Sequence, residues 1–466
     1  MSSERRWARA AAIALLALQA VLLTWMALHR RINPDEGFYL TSSYRVAAGQ
    51  LPYRDFMYAQ MPYFAYLLAP LVLLGAPLLT AARFISVACS LALSVVVYRE
   101  TGRRDVPALA RTVLLAFFVL HGLKLSSHAT AITHAPSDLL ALLSLIALER
   151  RHSLLAGIFL GVAVGFRLPL APLVAVYAGA LWWRGQTRSV IALGIGFALA
   201  LAPVLPFVAI DPANFVFGTY TLHQIRGNFP NALASLRQKG VIFLKWVLFP
   251  QDLLLLLVAL SAAAEIPALP AVAVVVLSAA FLQATPTYLT YVVQVLPFLF
   301  IAAIPGFRWL AQRRTVLAAA AVVYVLSAVP SLGYSPISVF SDSPEEKNRT
   351  WNRGAVNAVT RLIRAYSAPR DSVLSWWEGY PTLAYRNGVI GVGFWETNAA
   401  RKLGDPRAAR FHCMTLDRIE ALIQRAEPAV IVVPTGIWTQ FMPQIETRYE
   451  QVGTVGTVHV YARRAG

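Results

Sequence analysis

Long apolar runs separated by short arginine-bearing loops make up most of the first 331 residues of the chain. Runs of about 15 to 22 apolar residues are long enough to cross a membrane as helices. The apolar runs, several of them shorter and proline-bearing, lie near residues 8–28, 83–98, 108–123, 138–148, 153–167, 169–183, 189–209, 241–262, 266–285, 288–305 and 315–331. The pattern predicts an α-helical polytopic membrane protein with about eleven spans.

The composition supports this prediction. Of 466 residues, 57% are hydrophobic and 14% are charged. A soluble domain cannot hide so much apolar surface in one core, so membrane lipids are expected to surround most of the chain. The net charge of +18 would favour nucleic acid if the basic residues lined one soluble face. They lie instead in short loops between apolar runs, which argues against a nucleic-acid partner.

The arginines also predict an orientation. The first apolar run follows Arg5, Arg6 and Arg9 and lacks a small-residue cleavage site, so it resembles an uncleaved anchor with a cytoplasmic N-terminus. Successive crossings then place the arginine-bearing loops near 99–111, 150–151, 184–188 and 308–314 inside the cell. We therefore expect a multi-pass protein of the inner (plasma) membrane whose C-terminus is external.

One apolar stretch, residues 56–82, does not fit this count. It carries no charge, but as a span it would export the arginines near 99–111, and its three prolines would weaken a lipid-exposed helix. We interpret 30–82 as one large external loop with helices in the membrane interface. An aromatic group suited to lipid headgroups supports this interpretation. Its members are Tyr53, Phe56, Tyr58, Tyr63, Phe64 and Tyr66.

The composition changes after residue 331. Residues 373–377 and 429–434 have the pattern of short buried strands, a helical pattern covers about 415–426, and 454–461 alternates like a last strand. These elements predict an external, periplasmic α/β domain over 332–466, after a membrane domain over 1–331.

The candidate chemistry begins directly after the first apolar run, at the acidic pair Asp35-Glu36. A carboxylate at this position can serve as a general base at the membrane face. Neighbouring side chains point in different directions, so one of the two is expected to be the base while the other orients it or binds substrate. The alternative is that Asp35 only caps a helix beginning near Gly37.

The layout of the chain, with its motifs, resembles the GT-C membrane glycosyltransferases over about residues 1–310. It is most similar to bacterial relatives of dolichyl-phosphate-mannose protein mannosyltransferases and of the lipid A aminoarabinose transferase. Two departures are Met61-Pro62, where the family commonly has Pro-Pro, and Arg167, where lysine is frequent. The motifs that carry the resemblance are Asp35-Glu36-Gly37, Pro52-Tyr53-Arg54-Asp55-Phe56, Leu155-Ala156-Gly157 to Arg167-Leu168-Pro169, and Pro286-Thr287-Tyr288-Leu289-Thr290-Tyr291 to Leu296-Pro297-Phe298.

The resemblance implies an inverting enzyme that moves a sugar from a polyprenyl-phosphate-linked donor to a lipid, glycan or protein acceptor, with Asp35 as the base. Such a transfer also needs cations that stabilise the departing phosphate. Two other functions stay open: a transporter or flippase of lipid-linked sugars, and a non-catalytic membrane scaffold.

Further site candidates lie in the loops. Arg54 is a candidate for a bidentate phosphate contact with Asp55 orienting it, or the two form a local ion pair that closes a turn. Arg226 either offers a second phosphate-binding cation or reaches to lipid headgroups. Tyr58 is also assigned to substrate binding.

The loop over about 121–138 contains His121, Lys124, His128, His134 and Asp138. Imidazole and carboxylate groups can bind a divalent metal, but spacings of six, five and three intervening residues match no compact ligand motif. We therefore assign no metal or other cofactor, and we assign Lys124 and Asp138 to substrate contacts.

Overall fold

The computed structural model describes residues 3–227, 229–334 and 351–464, and the side chains of 3–5 and 329–334 are left aside. The chain divides into two compact units that interleave along the sequence. The helical unit takes in described residues of Met1–Leu28, Arg83–Leu205 and Gly227–Phe340. The mixed unit takes in described residues of His29–Ala82, Pro206–Arg226 and Ser341–Gly466. The sequence predicts two continuous domains, 1–331 and 332–466. The boundary between them lies within helix Arg314–Tyr334, shortly before residues 335–350, which are outside the described part.

The helical unit consists of α-helices and short 3₁₀ turns. A long apolar run favours the α-helix, because its backbone N–H and C=O groups are then hydrogen-bonded to each other within the run. The α-helices that lie wholly or mostly in this unit are Ser3–His29, Leu78–Arg103, Ala108–Val119, Gly122–His128, His134–Glu149, Ser153–Phe166, Pro172–Trp183, Thr187–Leu201, Ala232–Val247, Pro250–Leu260, Ala268–Leu282, Leu296–Ala302, Ile304–Ala311 and Arg314–Tyr334. Short 3₁₀ turns lie at Leu168–Leu170, Ala202–Val204, Ala263–Glu265 and Leu289–Gln294.

Three helices within the described residues are long and apolar enough to cross a membrane: Arg6–His29, Leu78–Arg103 and Thr187–Ile210. Two bent pairs raise this number to as many as five. Ala108–Val119 with Gly122–His128 bends by 53°, and Ala232–Val247 with Pro250–Leu260 bends by 70°. The total of about eleven spans stays a prediction.

Proline explains why one predicted span is broken. The predicted span 288–305 is not one helix: it contains Leu289–Gln294 and Leu296–Ala302 and ends in the first turn of Ile304–Ala311. Pro297 and Pro305 sit in the first turns of the second and third of these helices. Proline has no N–H to donate to the carbonyl of the preceding helical turn, and its ring clashes with that carbonyl. It therefore begins a helix more readily than it continues one.

The helical unit is closely packed. A Cβ atom on Gly157 would lie 2.1 Å from the Leu193 carbonyl oxygen, so helices Ser153–Phe166 and Thr187–Leu201 touch through their backbones. Small residues allow such contacts between membrane helices. Elsewhere in the core the rings of Phe117 and Tyr324 stack with centroids 3.7 Å apart.

The mixed unit combines helices with one sheet. Its strands are β1 Ser372–Ser375, β2 Asn387–Gly388, β3 Val430–Pro434, β4 Tyr449–Val455 and β5 Val458–Arg463. The sheet order is β2-β1-β3-β5-β4; β1 runs parallel to β2 and β3, and β5 runs antiparallel to β3 and β4. Its α-helices are Pro34–Ala47, Tyr63–Leu73, Leu205–Ile210, Pro212–Val216, Leu222–Ile225, Arg353–Ala365, Gly379–Leu383, Phe394–Leu403, Asp405–Arg410, Leu416–Gln424 and Met442–Arg448, with a π-helical turn at Phe217–Thr221 and a 3₁₀ turn at Thr439–Phe441.

The aromatic group predicted for the headgroup region is mostly core. Tyr53, Phe56, Tyr58 and Phe64 are at most 1% exposed. The Tyr53 ring meets Phe215 edge to face at 5.0 Å, within the same unit. Aromatic rings bury large apolar areas and pack edge to face, so this part of 30–82 holds the mixed unit together and is not a lipid-facing belt.

Candidate active site

The acidic pair lies in the first turn of helix Pro34–Ala47, with Asn33 as its N-cap. The Asn33 side-chain oxygen accepts a hydrogen bond from the backbone N–H of Asp35 at 3.0 Å. Glu36 Oε2 accepts from the backbone N–H of Asn33 at 2.7 Å, which completes a capping box. The alternative in which Asp35 caps a helix beginning near Gly37 is therefore wrong.

The two acidic side chains have different surroundings. Glu36 is fully buried, whereas Asp35 is exposed. Both stand at a helix N-terminus, where the helix dipole and the unpaired N–H groups favour negative charge. Glu36 contributes to the cap, and Asp35 is the carboxylate that solvent can reach.

Arg54 and Asp55 form a two-pronged ion pair. Arg54 Nε donates to Asp55 Oδ1 and Arg54 Nη2 to Asp55 Oδ2, each at 2.8 Å. Asp55 Oδ2 also accepts from the backbone N–H of Leu51 at 2.7 Å, so the pair closes the turn after Pro52. The hydrogen bonds from Arg54 lower the pKa of Asp55. Half of the Arg54 side chain is exposed, so the guanidinium can also meet a ligand.

Tyr58 lies in the core of the mixed unit. Its side chain is fully buried and its ring stacks on Phe38 with centroids 5.3 Å apart. Burial raises the pKa of the phenol well above its usual value, so Tyr58 stays neutral. A substrate contact by Tyr58 stays a prediction.

Arg226 follows the short helix Leu222–Ile225, and its guanidinium lies over the Trp395 ring, 4.7 Å from the centroid. His223, three residues earlier, is hydrogen-bonded through Nε2 to the Ala59 carbonyl at 2.7 Å. Both contacts lie inside the mixed unit. The cation is thus stacked on an aromatic face, an arrangement that arginine favours.

Lys124 and Asp138 belong to the helical unit, and both are buried. Lys124 Nζ donates to Ser94 Oγ at 3.1 Å and lies 4.2 Å from the centroid of the Phe118 ring. Asp138 Oδ2 is hydrogen-bonded to His128 Nε2 at 3.0 Å. Residues 121–138 are buried throughout and include helix Gly122–His128 and the start of helix His134–Glu149, so the prediction of a loop is corrected: this segment is part of the interior of the helical unit.

Other polar residues of this interior were not recognised in the sequence. Gln294 Nε2 donates to Ser137 Oγ at 2.6 Å, and His128 Nδ1 is 3.0 Å from Ser90 Oγ. Polar residues within apolar runs were the available signal, because membrane segments rarely keep them without a reason. His121 pairs with Asp252 through Nε2 and Oδ1 at 3.2 Å. No group of three or more His, Cys, Asp or Glu side chains suited to a metal occurs in the described part of the chain.

The predicted site residues therefore fall into two sets. Lys124 and Asp138 lie in the helical unit, and the remainder lie in the mixed unit. Those in the mixed unit are Asp35, Glu36, Arg54, Asp55, Tyr58 and Arg226. The mixed unit thus joins the segment after the first apolar run with the C-terminal residues, a grouping that sequence order hides.

Comparison with protein-family models and with curated protein sequences found no match for this chain. Solved structures do match. ArnT from Cupriavidus metallidurans bound to undecaprenyl phosphate is 15% identical, with a TM-score of 0.68 over 97% of this chain and 98% of that one. ArnT from the same organism in the apo state is 16% identical, with a TM-score of 0.65 over 99% and 98%. The resemblance to the aminoarabinose transferase is thereby confirmed as a likeness of fold: this chain shares the fold of ArnT over nearly its whole length.

Proposed function

We propose that this protein is a glycosyltransferase that moves a sugar from a polyprenyl-phosphate donor to an acceptor at the external face of the membrane. The observation that carries the proposal is the shared fold, over 97% of the chain, with a transferase structure that holds undecaprenyl phosphate. The exposed carboxylate of Asp35, at a helix N-terminus directly after an apolar helix long enough to cross a membrane, supports it.

In the proposed reaction Asp35 accepts the proton of the acceptor's hydroxyl or amine as that group attacks the anomeric carbon. The bond between the anomeric carbon and the phosphate oxygen breaks, and the polyprenyl phosphate leaves with the electron pair. A single displacement of this kind inverts the anomeric centre. Glu36 supports the helix turn that carries Asp35 through its hydrogen bond to Asn33.

Cations are needed where the phosphate leaves, because negative charge grows on its oxygens. Arg54 and Arg226 are the proposed phosphate ligands of the mixed unit. Arg54 donates hydrogen bonds from Nε and Nη2 to Asp55. Because a guanidinium has five N–H donors, it can also bind a phosphate beside the ion pair. The Trp395 ring supports the Arg226 guanidinium, whose positive charge attracts a phosphate. Lys124 and Asp138 are proposed to contact substrate from the helical unit.

A second candidate function is transport of a lipid-linked sugar. The observation in its favour is the set of buried ionisable side chains in the helical unit, including the His128–Asp138 and His121–Asp252 pairs. Ionisable residues within membrane segments are costly and mark transport pathways in many proteins, often beside bent helices. Two bent helix pairs occur in the described residues.

Reconstitution separates the two functions. The purified protein is placed in liposomes with radiolabelled undecaprenyl-phosphate sugars and with lipid, glycan and protein acceptors. A transferase releases undecaprenyl phosphate and labels an acceptor, and Asp35→Asn slows both by about a hundredfold or more. A transporter moves the intact donor across the bilayer, and Asp35→Asn leaves that movement unchanged. Movement without transfer would overturn the proposed function.

A further inference from the structure

We infer that Trp377 anchors the first turn of helix Pro34–Ala47 and thereby positions Asp35. The positioning role rests on the proposed function, because Asp35 is the base of that reaction. Trp377 follows strand β1, more than three hundred residues along the chain from Asp35, yet both belong to the mixed unit.

The anchor is a hydrogen bond combined with a close contact. Trp377 Nε1 donates to the Pro34 carbonyl at 2.9 Å, one residue before Asp35. The same indole lies against Gly37: a Cβ atom there would be 2.3 Å from Nε1 and 2.5 Å from Cε2. Glycine is therefore required at position 37 for the ring to reach the helix. Trp377 itself is 6% exposed, so the contact is shielded from water.

Neighbours of Trp377 hold the segment on both sides of Asp35. Before it, the backbone N–H of Ile32 donates to the Trp351 carbonyl at 2.7 Å. After it, Thr41 Oγ1 donates to the Glu378 carbonyl at 3.0 Å. The Trp351 ring meets Trp377 edge to face at 4.9 Å, so the anchoring side chains also support each other.

This arrangement fixes the direction in which the first helical turn points. The capping box sets the backbone within the turn, and the indole sets the position of the turn against the C-terminal residues. A catalytic group displaced by about 1 Å can lose roughly a hundredfold in rate, so a rigid support matters for a base. The C-terminal part of the chain thus becomes a structural component of the active site.

The test is Trp377→Phe in the full-length protein. Phenylalanine keeps an aromatic ring but removes the Nε1 donor. We expect kcat to fall between about tenfold and a hundredfold, with the affinity for undecaprenyl phosphate unchanged and the acidic limb of the kcat–pH profile displaced. The matched control is Trp376→Phe, the adjacent tryptophan, whose ring meets Phe394 at 5.6 Å. It should keep wild-type kcat and the wild-type pH profile.

A second measurement does not depend on turnover. Hydrogen–deuterium exchange of peptides covering 33–41 should rise in Trp377→Phe and stay at the wild-type level in Trp376→Phe. Unchanged exchange would overturn the anchor. Raised exchange with wild-type kcat and pH profile would overturn positioning. If the wild-type protein transfers no sugar from any donor, the proposed function fails, while the exchange experiment still decides whether Trp377 anchors the turn.

Discussion

Glu36 Oε2 accepts a hydrogen bond from the backbone N–H of Asn33 at 2.7 Å, and this contact separates the roles of two adjacent carboxylates. Glu36 is committed to the helix cap and buried, whereas Asp35 is exposed on the same turn. The sequence alone offered both residues as candidates for the base. The cap makes Asp35 the stronger candidate, because a general base must reach the proton of the acceptor.

The first prediction follows from this difference. Asp35→Asn removes the proton acceptor with little change of shape, and we expect turnover to fall by about a hundredfold to ten-thousandfold. Glu36→Gln should keep most activity, since glutamine can also complete a capping box. The measurement is kcat for sugar release, together with the affinity for undecaprenyl phosphate, which both variants should retain. A loss in Glu36→Gln as large as that in Asp35→Asn would contradict the assignment.

The second prediction concerns Arg54. Arg54→Ala removes a charge-assisted contact to phosphate, so it should weaken binding of undecaprenyl phosphate by roughly ten- to more than a hundredfold. Arg54→Lys should recover part of the loss, because lysine keeps the charge but not the planar fork. The matched control is Arg418→Ala. Arg418 forms another half-exposed ion pair of the mixed unit, with Asp405, and the substitution removes it. Equal affinities for both alanine variants would show that Arg54 only closes its turn.

The third prediction tests the other phosphate ligand. Arg226→Ala should weaken the binding of undecaprenyl phosphate. Trp395→Leu should weaken this binding less, because the charge of Arg226 remains when its aromatic support is removed. The double variant should resemble Arg226→Ala, since both changes act through the same guanidinium. Titration of each purified variant with undecaprenyl phosphate measures these affinities. Additive losses of affinity in the double variant would contradict the shared mechanism.

Local patterns in the sequence identified several elements correctly. The apolar runs near 373–377 and 429–434 lie on β1 and β3, which pair in parallel with Leu374 opposite Ile431. Short buried strands can be recognised because they depend on neighbouring residues. The pairing of Trp377 with Pro34 could not be predicted, since apolar composition indicates that a side chain is buried but not which distant residue covers it.

Burial of polar groups was the main source of error. The stretch 121–138 is predicted as a loop because it lies between two apolar runs, and its histidine, lysine and aspartate side chains are of types that are usually exposed. In the structure His128 and Asp138 are hydrogen-bonded to each other, and a paired polar group can be buried. Which polar groups pair depends on how the helices pack, and local patterns in the sequence do not reveal that packing.

The fourth prediction concerns topology. Arg150 Nη2 donates to Glu100 Oε2 at 2.7 Å, and Arg104 contacts both Glu100 and Glu149, so two loops lie at the same end of the helical unit. Reporter tags after Arg104 and after Arg151 should therefore report the same side, and the arginine bias predicts the cytoplasm. A tag after Arg464 should be external. Opposite locations for the two internal tags would contradict the ion pairs, whereas an inverted pattern would contradict only the orientation.

The last prediction uses the buried carboxyl pair of the mixed unit. A Cβ atom on Gly393 would lie 2.4 Å from Glu378 Oε1 and 2.5 Å from Glu396 Oε2, so the two groups converge over the glycine. Burial and the neighbouring Glu378 carboxyl raise the pKa of Glu396 well above its usual value. Glu396 is therefore protonated in the folded protein at a pH where an exposed glutamate is ionised.

The sign of the pH effect follows from this raised pKa. Below about pH 4.3 Glu396 is protonated in both states, and as the pH rises toward the folded pKa only the unfolded chain releases the proton. The free energy of unfolding should therefore decrease by as much as about 1.4 kcal/mol per pH unit in this range. Glu396→Gln stays neutral and still donates a hydrogen bond, so its thermal midpoint should exceed that of the wild type at neutral pH and depend less on pH. Glu427→Gln, at a half-exposed position, serves as the control and should follow the wild-type curve. Parallel midpoint–pH curves for Glu396→Gln and the wild type, recorded by intrinsic tryptophan fluorescence in detergent, would show that Glu396 is ionised in the folded protein.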